Sequence, residues 1–419
     1  MTTIIKSGDG NLINTKQIFT HTTLSPEGYI QFTKFNGTPN LINIHRHEYK
    51  KNHSKFTTRE PDEVYYKRLT DTAIKCEQSA EREQFTQQDY VWHGDAPIYD
   101  DQWPKKSDNF RVHQLNVNGL PFKHDHFLID LYLQGTTSLQ SDIQCAQEIN
   151  INLTNPAIRQ RFLRAMRRFD RLATIQLGYV KKQEYDKSIY RPGGVMVWTH
   201  GINSGRVCDR SSDEYGRWSS LTMLQKDEQQ TVFISAYKTC KGSKLDGTGI
   251  ASQQYRAMVR DGKRKKNQRQ HFDDDLKQLI GHHYQQGKEV CLAMDSNTWS
   301  TSEEMNTFLA DAGMLNAYDI VYEGKEHPRT FFRGQGCIDQ FIITPGLKPL
   351  IQRMGYSPFY AMGPYDHRFA YLDFDRQKLF NHKVDVTRSA GRHPRGGFMK
   401  WYISMTILHN NMTFSDCPM

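Results

Sequence analysis

The sequence predicts an α+β sandwich, two packed β-sheets with helices on their outer faces, and three observations point that way. From about Arg111 onward, short runs rich in β-branched residues recur, each bounded by Gly, Asp or Ser. Between some of them lie segments whose apolar residues repeat at 3.6 spacing, the period of a half-buried helix. The strand-like runs outnumber the helical ones, which suits two sheets covered by helices better than a strictly alternating βα fold.

The strand-like runs, in order, are Val112 to Val117, Ile143 to Ile149, Val195 to Thr199, Ser219 to Leu224, Thr231 to Tyr237, Glu289 to Met294, Ile338 to Ile343 and Phe369 to Phe374. Asn155-Pro156 is a cap followed by proline at the first helical position. Behind it Ile158, Phe162, Ala165, Met166, Phe169 and Ala173 fall on one face, with arginines from Arg159 to Arg171 opposite. Phe272, Leu276, Leu279 and Ile280 mark a second helix; Met305, Phe308, Leu309 and Ala312 mark a third. This region, residues 106–376, reads as the folded domain.

Residues 1–105 are rich in Thr, Asn, Lys and His and read as a polar leader, extended or partly ordered. A strand is expected over Tyr29 to Phe35 and a helix over Thr70 to Glu83. Residues 377–419 turn polar and basic (Arg388, Arg392, Arg395, Lys400) with Gly391, Gly396 and Gly397, as a linker-like tail would.

Composition narrows the classes. The 419 residues contain no run of about 18 apolar side chains, so no membrane helix is expected. The first ten residues lack the apolar stretch of a secretory signal, so secretion is not expected. Seven cysteines stand singly, without CxxC or zinc-ligand spacing, which fits a reducing compartment and argues against a structural zinc. A formal net charge of +9 favours polyanions as a class and decides nothing more.

Polar residues then appear where apolar runs stop: Asn116-Val117-Asn118-Gly119, Gln147-Glu148, Asp295-Ser296-Asn297 and Tyr365-Asp366-His367-Arg368. Asp339 interrupts the apolar run Cys337 to Ile343, and a carboxylate buried there needs a partner. Taken singly, each has an ordinary reading. Asp-x-Asn and Asn-x-Asn-Gly are turn chemistry, and a Glu at a strand end is normally solvated.

The ordered set resembles the endonuclease/exonuclease/phosphatase superfamily, the deoxyribonuclease-I-like proteins. That family shows Asn-x-x-Gly, Gln-Glu, a mid-chain Tyr or His, Gly-Asp-x-Asn, an Ile-Asp-Tyr-like strand and Ser-Asp-His. Here these read Asn116 to Gly119, Gln147-Glu148, Tyr237 in Ser235-Ala236-Tyr237, Asp295 to Asn297, Ile338 to Phe341, and Asp366-His367. The likeness spans about residues 110–376. Met294 stands for the Gly before Asp295, Tyr365 for the Ser before Asp366, and Asn118 where cleaving relatives often have an aspartate.

The resemblance implies a four-layer α/β/β/α sandwich and a metal-dependent phosphodiesterase. It implies Mg²⁺, with Mn²⁺ as a substitute, on Glu148, Asn118 and Asp366. Asp295 would orient or deprotonate water with Asn116 holding it, and Asn297 and Tyr237 would contact phosphate. His367, held by Asp339, would stabilise charge at phosphorus.

For the substrate, Asp261 to Arg269 concentrates basic residues in one segment, either a solvated surface, a phosphate grip or an import signal. Asn116 to Leu120, Gln147 to Asn150 and Gly216-Arg217-Trp218 resemble LINE-type retroelement endonucleases. That implies DNA nicked to leave a 3′-hydroxyl, a nuclear setting (otherwise cytoplasmic), and a reverse transcriptase supplied elsewhere. RNA stays open as a substrate. A non-nucleic phosphoester, such as an inositol phosphate or lipid headgroup, is the enzymatic alternative. An inactive nucleic-acid-binding relic is the non-enzymatic one.

Overall fold

Alternation along each strand decides which side chains face the neighbouring sheet and which face helices, and this alternation also builds the site. The computed structural model describes residues 105–120, 127–181, 187–263, 267–359 and 365–380, together with short strands between residues 3 and 45 and at His93–Gly94. Its main strands are β1 (Asn109–Asn116), β2 (Ile143–Gln147), β3 (Thr174–Gly178), β4 (Val195–Thr199), β5 (Val207–Ser212) and β6 (Trp218–Leu224). They continue with β7 (Gln230–Tyr237), β8 (Glu289–Asp295), β9 (Leu315–Asn316), β10 (Asp339–Ile343), β11 (Ile351–Tyr356) and β12 (Ala370–Asp375). The eight expected runs all occur as strands; β3, β5, β9 and β11 were not foreseen.

One sheet has the order β11-β12-β1-β2-β4-β3, extended at the β11 edge by His93–Gly94; the other runs β5-β6-β7-β8-β10-β9. Between them Phe110, Val112, Ile143, Cys145 and Val197 from the first sheet meet Phe233, Cys291, Ala293, Phe341 and Ile343 from the second. Each of the fully buried large side chains contributes roughly 1.5–3 kcal/mol over an exposed one. The chain keeps packing on this core as far as Leu379 and Phe380.

The outer faces are covered by helices, which completes the expected four layers. Helices α1 (Phe127–Ser138) and α2 (Pro156–Phe169) pack on the first sheet, burying Ile129, Leu133, Phe162 and Met166 against Ala146, Met196 and Trp198. Asn155 caps α2 as expected, its side-chain oxygen accepting from Ala157 N at 3.0 Å. Helices α4 (Gln268–Gln285) and α5 (Glu303–Ala312) cover the second sheet through Phe272, Leu276, Ile280 and Met305. Helix α3 (Ile250–Arg260) fills the segment before the basic run.

A charged cluster sits within the sandwich. Asp373, fully buried, accepts from Arg111 at 2.7 and 2.8 Å and from Arg353 at 3.0 Å. The pairing holds the Asp373 carboxyl below its usual range against the opposing effect of burial. Where β3 ends, Gly178 meets the Trp218 carbonyl of the other sheet so closely that a Cβ would lie 2.5 Å from it. In the N-terminal region Thr3–Lys6 pairs with Leu12–Thr15, and a three-stranded sheet contains Tyr29–Thr33, within the expected strand. The helix expected over Thr70 to Glu83 lies outside the described residues.

Candidate active site

The two inner faces change character from one end of the sandwich to the other. Along β1 the inward positions run Phe110, Val112, Gln114, Asn116; along β8 they run Cys291, Ala293, Asp295. β7 gives Phe233, Ser235, Tyr237, and β10, running the opposite way, gives Ile343, Phe341, Asp339. Parallel pairing sets Asn116 beside Gln147 and Tyr237 beside Asp295, and antiparallel pairing sets Asp295 opposite Asp339. Core residues therefore give way at one end to a polar set with no break in the pleat.

Asn116 is the hub. Its Nδ2 donates to Asp295 Oδ2 at 2.8 Å and to Glu148 Oε1 at 3.1 Å, and its Oδ1 accepts from Asn118 N at 3.0 Å. Asp295 Oδ1 accepts from Asn297 N at 3.1 Å, while Asn297 Nδ2 donates to the Lys238 carbonyl at 2.8 Å. Asn118 Nδ2 reaches Asp366 Oδ2 at 3.2 Å. His367 Nδ1 faces Asp339 Oδ2 at 2.8 Å, which leaves Nε2 as its outward nitrogen. The nine side chains singled out in the sequence thus converge on one rim.

Several backbones there are held in the left-handed region: Asn118 at φ 42°, Glu148 at 51° and Asn297 at 43°. Asn tolerates this conformation; for Glu it costs on the order of 1 kcal/mol or more, which the surrounding contacts must offset.

Electrostatics divides the rim in two. Burial pushes the Asp295 carboxyl up, and the facing Asp339 charge adds to that, with His367 and Asn116 pulling the other way. Burial would hold His367 below its ordinary value, but the Asp339 carboxylate overrides it and lifts the imidazole to about 10. Tyr237 is raised well above the usual phenol range, by burial and then by the Glu148 and Asp295 charges, so its hydroxyl stays protonated and can donate.

Asp295, Asp339 and His367 offer atoms within 4.8 Å of one another, close enough to share a cation. Yet Asp339 Oδ2 already meets His367, and both Asp295 oxygens already accept hydrogen bonds. Glu148, Asn118 and Asp366, also gathered around Asn116, are a second set that could take a hard cation. They offer only oxygen ligands, and Asp366 Oδ1 is buried with no hydrogen-bond partner.

The supporting shell includes Gln147, already marked by its motif, and residues the sequence did not reveal. Gln114 Nε2 crosses between the sheets to the Met294 carbonyl at 3.1 Å, and Gln147 Nε2 reaches Ser235 Oγ at 3.1 Å. Lys238, next to Tyr237, is buried between Asp273 and Glu304, each at 2.7 Å. Arg269 hydrogen-bonds the Thr239 carbonyl and Thr298 Oγ1, tying the Tyr237 segment to the Asn297 loop. The sequence reading placed Arg269 at the end of a basic run left open between a solvated surface, a phosphate grip and an import signal. It is instead a mostly buried strut. Of the unrevealed residues, only Gln114 could have been read beforehand, from its inward parity.

No protein-family model matches the chain, and a search of curated proteins gives no match. Solved structures do resemble it. An AP endonuclease from Leishmania major aligns at 12% identity and TM-score 0.49, covering 67% of this chain and 92% of its own. The human nocturnin catalytic domain aligns at 14% identity and TM-score 0.43, covering 64% and 94%. The Xenopus laevis APE2 catalytic domain aligns at 13% and 0.43, covering 66% and 95%. All three belong to the superfamily that the ordered motifs resemble. At such identities and scores the likeness is one of overall fold, and the chemistry rests on the site itself.

Proposed function

We propose that this chain is a divalent-metal-dependent phosphodiesterase acting on DNA, an endonuclease of retroelement type that leaves a 3′-hydroxyl. The observation that carries the reading is the division of the rim. A buried Asp–His pair and a raised carboxyl lie on one side of Asn116, and an oxygen-only set, Glu148, Asn118 and Asp366, on the other. Phosphodiester hydrolysis needs both: proton handling, and neutralisation of charge gathering on phosphorus and the leaving oxygen.

Mg²⁺, with Mn²⁺ as its substitute, would sit on Glu148, Asn118 and Asp366, where it neutralises phosphoryl charge and stabilises the leaving oxygen. Asp295 takes the proton of the attacking water; Asn116 and the Asn297 amide hold its carboxylate in place. A carboxyl raised to about 8 is a stronger base than an exposed one and gains its basic form as pH rises toward that value. His367 donates from Nε2 to a non-bridging oxygen, and Asp339 keeps it cationic at neutral pH. Tyr237 and the second hydrogen of Asn297 Nδ2 donate to the same phosphate. Water oxygen bonds to phosphorus, the P–O3′ bond breaks, and the departing 3′-oxygen takes its proton from solvent water.

Residues 106–376 would carry this activity, in the nucleus, with a reverse transcriptase supplied by another chain. The test is cleavage of a labelled duplex in Mg²⁺ and in EDTA, followed by polymerase extension of the product. Metal-dependent cuts that a polymerase extends support the reading. Turnover of inositol phosphates or lipid headgroups, with intact DNA, would replace it.

A further inference from the structure

The loop that carries Asn297 also carries an exposed tryptophan. Trp299 is 52% exposed, although an indole is among the largest apolar groups a protein can bury. It is nonetheless fixed. Its carbonyl accepts from Ser302 N at 3.0 Å and from Ser302 Oγ at 2.7 Å, and Ser302 also caps α5. The next residue of the loop, Ser300, donates its amide to the Cys337 carbonyl at 2.8 Å.

The ring itself lies against Gly336. A Cβ built there would fall 2.8 Å from indole Cδ1 and Cγ and 3.0 Å from Nε1, so only glycine leaves room for the ring. Gly336 in turn borders the site. Its carbonyl accepts from Thr330 N at 3.3 Å, Thr330 Oγ1 accepts from Asp339 N at 3.0 Å, and Phe331 bridges to His367. The indole therefore stands on a seat at Gly336, between the Asn297 loop and the Asp339–His367 pair, with about half of the residue open to solvent.

Building on the nuclease reading, we infer that Trp299 is the stacking platform for a nucleobase next to the scissile phosphate. Such a base, turned out of its helix, needs a flat apolar surface, and an aromatic face accepts any of the four because each has a π-face. Rigid placement matters: an indole already held in position loses little freedom on binding. The platform would thus add affinity for the strand and fix the register of the phosphate over Asp295 without reading sequence.

The test is binding in EDTA, where no cleavage occurs. Fluorescence anisotropy compares a short single strand with an abasic strand carrying the same phosphates. Wild type should bind the base-bearing strand about tenfold more tightly than the abasic one. Trp299→Ala should erase that difference and leave abasic binding unchanged, while Trp299→Phe should keep most of it. Gly336→Ala, which pushes the ring off its seat, should resemble Trp299→Ala. Matching thermal melts would exclude misfolding, as expected for an exposed side chain. If Trp299→Ala discriminates as wild type does while wild type nicks DNA, the platform is refuted and the nuclease stands. If wild type neither binds nor cuts DNA, both fall together.

Discussion

Replacing Asp339 with Asn should convert His367 from a cation to a neutral imidazole at pH 7. The side chain keeps its shape, and Asp339 is fully buried, so solvent cannot replace the lost charge. In the wild type His367 is lifted from 6.5 to about 10, and at about 1.36 kcal/mol per pH unit this rise corresponds to roughly 5 kcal/mol. Burial, the largest effect, acts downward and persists in the variant, and only the smaller upward effects of Asp295 and Asp366 remain to oppose it, so its pKa should fall below 7. The sign for stability follows from the raised folded value. The pair's contribution is complete below pH 6.5, declines above it, and is lost as pH rises through about 10. The variant should show no such decline. The assay is a ¹³C-NMR titration of the His367 Cε1 resonance in both proteins, with urea melts at pH 6 and 9.5. Cleavage by the variant should drop on the order of 10²–10³-fold, the usual loss when a charged donor to the reacting phosphate is removed. A wild-type His367 that titrates near 6.5, or a variant that titrates unchanged, would refute the argument.

Four further outcomes follow from the same geometry. Glu148→Gln should weaken Mn²⁺ binding at least tenfold by calorimetry, with urea melts nearly unchanged, since the residue lies at a partly exposed rim. Asp373→Asn should cost about 3–5 kcal/mol by urea melts, because Arg111 and Arg353 would keep buried charge without a counter-charge. Gly178→Ala should destabilise by about 1–3 kcal/mol, since the new Cβ meets the Trp218 carbonyl at 2.5 Å. His113, lowered to about 3 by burial and then by Arg111, takes up protons more readily when unfolded. It should therefore cost about 2 kcal/mol between pH 6.5 and 5, a slope that His113→Asn should flatten in urea melts.

Much of this architecture was legible because β-strands write their orientation into the sequence at period two. Val112, Cys291, Phe233 and Phe341 announce an inner face, and Asn116, Asp295, Tyr237 and Asp339 fall on the same parity at the strand ends. The ordered motifs could be found for that reason. Strands β3 and β5 were not, because Thr174–Gly178 is brief and Val207–Ser212 lies at a sheet edge with few apolar residues. Helix α1 escaped notice because its apolar residues carry no cap signal and no sharp periodicity. Arg269 and Lys238 were missed for another reason. A cation reads as surface in a sequence, and only the fold brings it to Glu304, Asp273 and the carbonyls it holds. Asp366 was visible as a motif residue, but the partnerless state of its Oδ1 is a fact of three dimensions.

The most direct test of the central claim is the conversion of supercoiled plasmid to open circle by wild type, Glu148→Ala and His367→Ala, each with Mg²⁺ and with EDTA. The account predicts nicking by wild type in Mg²⁺ alone, and loss of nicking in both variants although their melts match wild type. Nicking that persists in EDTA, or in the folded variants, would contradict it.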